Sequence, residues 1–345
     1  MNYINRRQFI QYSSLAISTS ILTSCATPNN SNSTAKNNKN LDKVTYGTNW
    51  YAQGEHGGFY QAIATGIYED YGLEVTIRMG NAQVNGTQLL VGGGIDFFMG
   101  SSLEAIRSVE IGIPTITVAA IFQKDPQVLI AHPGVGNDSL EQLKGKPILV
   151  SSLAEKGYWQ FLKTKFGYTD DQRRPYNSSV VPFLVDKNVI QQGYLTSEPF
   201  TIQQKGGFEP VVMLLADAGY KPYATTIETT KEMVEKNPDL VQRFVHASIK
   251  GWYSYLENPE PANQLIKKDN PEMKDDLLAY SLEKMKKYGI IISGDASTKG
   301  IGAMTDERWK LFFDSVVEAG LIEPDTNYKE AFTLQFVNQG VEAYQ

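Results

Sequence analysis

"VTYGTNWYAQGEHGGFYQAIATGIYEDYGLEVTIRMG", residues 44–80, reads as strand, bend, helix and strand in that order. Residues 44–50 are β-branched and aromatic, and a glycine-rich bend follows. "GGFYQAIATGIYEDYG" then spaces its apolar residues at helical intervals and stops at Gly72, after which "LEVTIRMG" is extended again. A helix between two strands is the crossover that brings the second strand back parallel to the first. The stretch therefore sets an α/β architecture.

The alternation continues outward. "NAQVNGTQLLVGG" reads as a helix, "IDFFMG" as a strand, "SSLEAIRSVEIG" as a helix opened by serine, and "PTITVAAIF" as a strand. A second unit opens near "QVLIAHPG". It holds a helix and strand in "SLEQLKGKPILVSS", the helix "EKGYWQFLKTKFG", the strands "SSVVPF" and "VIQQGYL", the helix "PFTIQQKGG" and the strand "EPVVMLL". After "YKPYATTI" long amphipathic helices take over, "PDLVQRFVHASIKGWYSYLEN" among them. The expected fold is α/β with two lobes, each a mostly parallel sheet flanked by helices. Lobe 1 takes residues 44–132 plus 224–345 and lobe 2 takes residues 133–223, with hinges near His132 and Tyr223.

Upstream, Arg6 and Arg7 precede an apolar run too short to span a bilayer, the pattern of an export leader over residues 1–24. The arginine pair resembles a twin-arginine signal, although a Sec leader also carries basic residues. The run ends in "LTSC", which resembles a bacterial lipobox, and Cys25 is the only cysteine of the chain. A lipidated Cys25 and an exported, membrane-anchored protein are expected. Residues 25–43 are rich in Asn, Ser and Thr and read as a flexible tether. The chain is 41% hydrophobic and 20% charged, which suits a globular protein. The formal charge of −6 becomes −8 once the two leader arginines are removed, and no basic patch suggests nucleic acid.

In open α/β sheets ligands bind where the carboxyl ends of strands meet helix N-termini. Asn49 and Trp50 stand at the first such end, with His56, Gly57 and Gly58 in the bend beyond. Glycines there permit close backbone approach; the alternative is that Trp50 is core and Asn49 caps a turn. Ser101 and Ser102 mark a second strand-to-helix switch and Ser151 and Ser152 a third, each also readable as an ordinary N-cap. In "GYLTSEPF", residues 193–200, Tyr194 closes a strand, Glu198 follows the bend, and Pro199 opens a helix. Capping alone would also place a carboxylate at that point.

Through "NW...EHGGFYQA", "GGGIDFFMGSS", "LKGKPI" and "GYLTSEP", the chain resembles substrate-binding proteins of ABC transporters in the thiamine-pyrimidine-precursor group, which also contains the fungal-type pyrimidine synthases. The resemblance implies a two-lobed periplasmic-binding-protein fold of type II. It implies a monomer that captures a small aromatic ligand, such as formylaminopyrimidine or hydroxymethylpyrimidine, for an ABC permease in the membrane. It also implies stacking by Trp50 and Tyr194 and hydrogen bonding by Asn49 and Glu198; independently of it, His56 in the bend and Ser101 and Ser151 at the strand-to-helix switches are further candidates for ligand binding. A riboflavin-like ligand or a sulfonate- or nitrate-type anion is the alternative. Lys156 is the one Lys or Arg in the loops concerned, which disfavours an anion.

The synthases hold pyridoxal phosphate on a lysine, with a histidine nearby and a cysteine-rich motif. Here the corresponding stretch is "FFMGSSLEAI", with neither Lys nor His, so a Schiff base cannot form and no enzyme activity is expected. No cofactor is implied, and no metal-ligand spacing is present.

Overall fold

The computed structural model describes residues 41–344 apart from 82, 152, 153, 155 and 156. The leader, Cys25, Ser152 and Lys156 lie outside the described residues. Strand β1 (Asp42–Gly47) runs parallel to β2 (Leu73–Arg78) and to β3 (Phe97–Ser101), joined by helices α1 (Gly57–Ala64), α2 (Ile67–Asp70) and α3 (Gly86–Val91). The single helix expected between β1 and β2 is two helices, because Gly66 adopts a left-handed conformation at φ 76° and breaks the ladder. Helix α4 (Ser102–Glu110) and strand β4 (Thr115–Phe122) follow.

The second sheet holds β5 (Gln127–Ala131), β6 (Ile148–Val150), β7 (Arg173–Pro175), β8 (Ile190–Tyr194) and β9 (Val211–Leu214). Helices α5 (Tyr158–Phe166), α6 (Val181–Val185) and α7 (Glu198–Gly206) flank it. The chain then returns to the first sheet as β10 (Ala224–Thr230) and ends in the helices α8 (Lys231–Lys236), α9 (Pro238–Glu257), α10 (Glu260–Asp269), α11 (Asp275–Lys287), α12 (Ala296–Lys299) and α13 (Asp306–Glu318). Both sheets belong to one compact unit.

The strand orders are β2-β1-β3-β10-β4 and β7-β6-β8-β5-β9, the same arrangement twice. In each sheet the strand that arrives from the other lobe is the reversed one. β10 is antiparallel to β3 and β4, and β5 is antiparallel to β8 and β9. The sheets are therefore mixed, each with one reversed strand among four that share a direction. Because β5 pairs in the second sheet, the chain crosses at residues 123–126, ahead of the boundary expected at His132. His132 belongs to the second lobe's interior, where its Nε2 meets the Phe183 carbonyl at 2.7 Å and its ring stacks on Phe183 at 4.3 Å.

Two further expectations are corrected. "SSVVPF" is not a strand: residues 181–185 form α6, with Pro182 in the first turn, Phe183 buried, and Val181 and Val185 exposed. A proline cannot donate to a ladder but fits a first helical turn, and that outweighs the β propensity of the valines. Gly57 and Gly58 serve helix packing. A Cβ on Gly57 would fall inside the Tyr255 ring, one on Gly58 inside the Trp252 ring, and one on Gly251 of α9 against the Gly58 carbonyl. Helices α1 and α9 thus meet backbone to ring, and Trp252 and Tyr255 are fully buried between them and the sheet.

Arg308 of α13 ties the two crossings together. Its guanidinium donates to the Gln123 Oε1 at 3.1 Å, to the Gln123 carbonyl, and to the Pro222 carbonyl at 3.5 Å. It also lies 4.1 Å from the centre of the Tyr223 ring.

Candidate functional site

On the second lobe, side chains alternate along β8, so that Gln192 and Tyr194 share a half-buried face. Glu198, at the start of α7, folds back over the strand end. Its Oε2 accepts the Tyr194 N–H at 2.8 Å and its Oε1 accepts the Tyr176 hydroxyl at 3.3 Å. Gly193 makes this possible, since a Cβ there would come within 2.8 Å of the Glu198 Cβ. Gln192 Oε1 accepts the Ser151 N–H at 2.6 Å and the Tyr158 hydroxyl at 2.8 Å. The ends of β6 and β8 are locked side by side.

On the first lobe, Ser101 caps α4. Its Oγ accepts the Glu104 N–H at 3.4 Å and donates to Glu104 Oε2 at 3.1 Å. Gly100, just before it, lies over the buried Glu228 carboxyl of β10, which occupies the space a Cβ would need. At the end of β1, Thr48 fixes the bend by donating to the Trp50 carbonyl at 2.8 Å and accepting the Gly80 N–H at 3.0 Å. Asn49 is exposed there, and Trp50 is half-buried, edge-on to Tyr51 at 5.7 Å. His56 lies beneath this surface at 1% exposure; burial pushes its imidazole down to about 3, so it is neutral.

The lobes meet around a buried threonine. The Thr196 hydroxyl, from the turn between β8 and α7, donates to the Glu55 carboxyl, and the Thr196 carbonyl accepts from Ser281 Oγ at 2.7 Å. Gly157, leading into α5, approaches Leu103 of α4 across the same crevice, a Cβ there lying 3.8 Å from the leucine. Tyr194 of lobe 2 feels Asp125, Glu55 and Glu104, which add to burial in raising its phenol.

The crevice is acidic and rich in tyrosine. Burial pushes the Glu55 carboxyl up to about 7 and that of Asp125 up to about 6, and it raises Glu198 as well. Glu228 rises well above the carboxylate range through burial and its neighbour Glu104. Among the described residues Arg107 reaches this group; burial lowers its pKa while Glu110, Tyr220 and Glu104 draw it back up. A cavity of about 110 Å³ opens behind β1 between Thr48, Arg78 and Phe98, and a surface groove of about 420 Å³ lies between Glu260, Asn263 and Glu283. Neither contains the aromatic and carboxyl groups gathered between the sheets, and that convergence is the candidate site. Among the described residues no His, Cys, Asp and Glu cluster could hold a metal ion, and no helix is long and apolar enough to cross a membrane.

Ser101, Ser151, Tyr194 and Glu198 thus stand on the two walls, Asn49 and Trp50 at the end of β1, and His56 below it. The sequence reading missed Tyr158, Tyr176, Tyr220, Glu104, Arg107 and Glu55. Glu104 alone left a local signal, the Ser-x-x-Glu spacing from Ser101.

Comparisons with known proteins bear on the family and the fold. The riboflavin-binding protein RibY of Chloroflexus aurantiacus is 24% identical over 309 residues, 87% of each chain. The formylaminopyrimidine-binding protein of Halalkalibacterium halodurans is 24% identical over 299 residues, 79% of this chain and 85% of that one. The fold is that of the periplasmic aliphatic sulphonate binding protein SsuA from Escherichia coli, with a TM-score of 0.64 at 12% identity over 84% of this chain and 91% of that one. Residues 53–262 match the family described as NMT1/THI5 like, and the chain belongs to that family.

Proposed function

We propose that this chain is the exported substrate-binding component of an ABC-type importer, and that it closes two lobes over a small aromatic heterocycle of the thiamine pyrimidine-precursor type. One observation carries the reading. Glu198 is held by Tyr194 and Tyr176 with its carboxyl at a crevice lined by tyrosines and further carboxyls. Such a surface offers π faces and strong acceptors, which match the flat ring and amino edge of an aminopyrimidine. Among the described residues an anion would meet the carboxyls of Glu55, Asp125 and Glu198, which disfavours a sulfonate or nitrate. A pyridoxal-phosphate enzyme would need a reactive lysine or histidine, and residues 97–106 contain neither. Riboflavin stays as the second reading because the RibY relative carries that name at the same identity as the pyrimidine-binding one.

The membrane attachment in this reading is Cys25, and the partner is a permease met by a monomer. Intact mass of membrane-extracted protein should show a diacylated Cys25; an unmodified chain that keeps residues 1–24 would remove the anchor. The ligand is tested by releasing what co-purifies from denatured protein and identifying it by mass, then titrating it by calorimetry. Glu198→Gln should weaken an aminopyrimidine by about 1.5–3 kcal/mol, the worth of a charge-assisted hydrogen bond. Binding of a sulfonate with no response to aminopyrimidines would overturn the reading.

A further inference from the structure

Gln192 ends in an amide whose orientation its neighbours fix. A backbone N–H can only donate, so the atom 2.6 Å from the Ser151 nitrogen must be the carbonyl oxygen Oε1, and the Tyr158 hydroxyl gives its proton to the same oxygen at 2.8 Å. With Oε1 doubly engaged, Nε2 is turned away from both, and its two protons find no acceptor among the described residues. The group is not sealed in the interior. Gln192 is half-buried on the face of β8 that also carries Tyr194, whereas the amide of Gln191, on the opposite face, is wholly enclosed.

Hydrogen bonds join this amide to the surroundings of Glu198. The Val150 carbonyl, next to the Ser151 N–H, accepts the Tyr176 N–H at 3.0 Å, and the Tyr176 hydroxyl donates to Glu198 Oε1 at 3.3 Å. Glu198 Oε2 takes the N–H of Tyr194, two positions beyond Gln192. Gln192 and Glu198 therefore both stand around the end of β6. Tyr158, on the other side of the amide, follows Gly157, where a Cβ would lie 3.7 Å from the Tyr220 hydroxyl and 3.8 Å from Leu103 of the first lobe.

We propose that Gln192 sets ligand specificity by donating from Nε2, so that the bound heterocycle must present an acceptor, a ring nitrogen or carbonyl oxygen, beside the N–H group that Glu198 takes. This rests on the reading of the crevice as an aromatic-heterocycle site. A carboxylate alone accepts from any amine. A fixed donor next to it rejects a ring that lacks the acceptor, because closure then leaves the amide protons dry and unpartnered. A free glutamine would turn its amide to suit either kind of edge, but the Ser151 N–H and the Tyr158 hydroxyl forbid that turn.

The test compares 4-amino-2,5-dimethylpyrimidine with 2,5-dimethylaniline by calorimetry at pH 8.5, where both probes are neutral. They share shape, amino group and methyl groups and differ in the ring nitrogens. The wild-type protein should favour the pyrimidine by about tenfold or more, the effect of a hydrogen bond made in one case and a donor left unpaired in the other. Gln192→Glu keeps an oxygen for Ser151 and Tyr158 but has no N–H, and Gln192→Met cannot donate at any pH. In each variant the preference should shrink below about threefold through loss of pyrimidine affinity, with the aniline bound as before; a merely structural role for Gln192 would weaken both probes alike. Equal binding of both probes to the wild-type protein, or a preference untouched in the two variants, overturns the role of Gln192 alone. Failure of both probes to bind the wild-type protein overturns the aromatic-heterocycle reading together with it.

Discussion

Replacing Glu55 by glutamine should remove a pH dependence of stability that is unusual in direction. The Glu55 side chain is 3% exposed at the contact between the lobes, and burial pushes its carboxyl from 4.5 to about 7, against the opposing hydrogen bond from Thr196. A raised carboxyl holds its proton in the folded chain while the unfolded chain has already lost it. Stability from this group is therefore fully present below pH 4.5 and is lost as pH rises towards and through 7. At 1.36 kcal/mol per pKa unit the loss is about 3 kcal/mol. Glutamine cannot ionise and keeps the size of the side chain. Urea unfolding of both proteins from pH 4.5 to 8.5 gives the difference in stability at each pH, in which the remaining groups cancel. That difference should fall across the interval by about 3 kcal/mol to the disadvantage of the wild-type protein. A flat difference would refute the argument, since it would mean that Glu55 is solvated or paired well enough to ionise at its ordinary value.

Three other outcomes are expected. Gly58→Ala should lower stability by about 1–3 kcal/mol through overpacking against Trp252, read by thermal melting, with ligand affinity little changed if the glycine serves α1 and α9 rather than the ligand. Arg308→Met should cost about 1–3 kcal/mol, because it leaves the carbonyls of Gln123 and Pro222 without their donor; the ligand-free protein should also sample a wider range of lobe separations, read by small-angle scattering. Trp50→Ala and Tyr194→Ala should each weaken an aromatic ligand by about 0.5–1.5 kcal/mol beyond the burial lost, and non-additively if both act through one closed state. Calorimetric titration of the two single variants and the double variant checks this.

The fold was legible wherever one element could be read from its own period. The strand-bend-helix-strand of residues 44–80 is such a case, although Gly66 divides its helix. Less legible were the elements whose environment is set from elsewhere. β10 reads "ATTIETT", polar by composition, and is buried on both faces because it enters between β3 and β4 and because Glu228 has space over Gly100. Nothing local in residues 224–230 announces a central strand. The glycine pair at residues 57–58 failed for the same reason. The backbone must approach something closely there, and the sequence does not say whether that is a ligand or the rings of α9, nearly 200 residues later.

The site divides along the same line. Tyr194 and Glu198 sit four residues apart and fold onto each other, so a local reading could place them at one strand end. Tyr158, Tyr176 and Tyr220 come from three separate segments and converge only through β6, β8 and the return crossing. The acidic character is equally non-local. Glu55, Asp125 and Glu198 are spread over 144 residues of a chain whose overall charge is modest, and it is burial that raises each of them. That arrangement has a consequence for selectivity. In the proposed reading, the buried carboxyls of Glu55 and Glu198 are partly desolvated, so a ligand that brings N–H groups would relieve that cost as it binds, whereas an anion would add to it. In the proposed reading, the groups that meet the ligand's edge would also favour closure around it, so recognition and lobe movement would draw on one set of side chains.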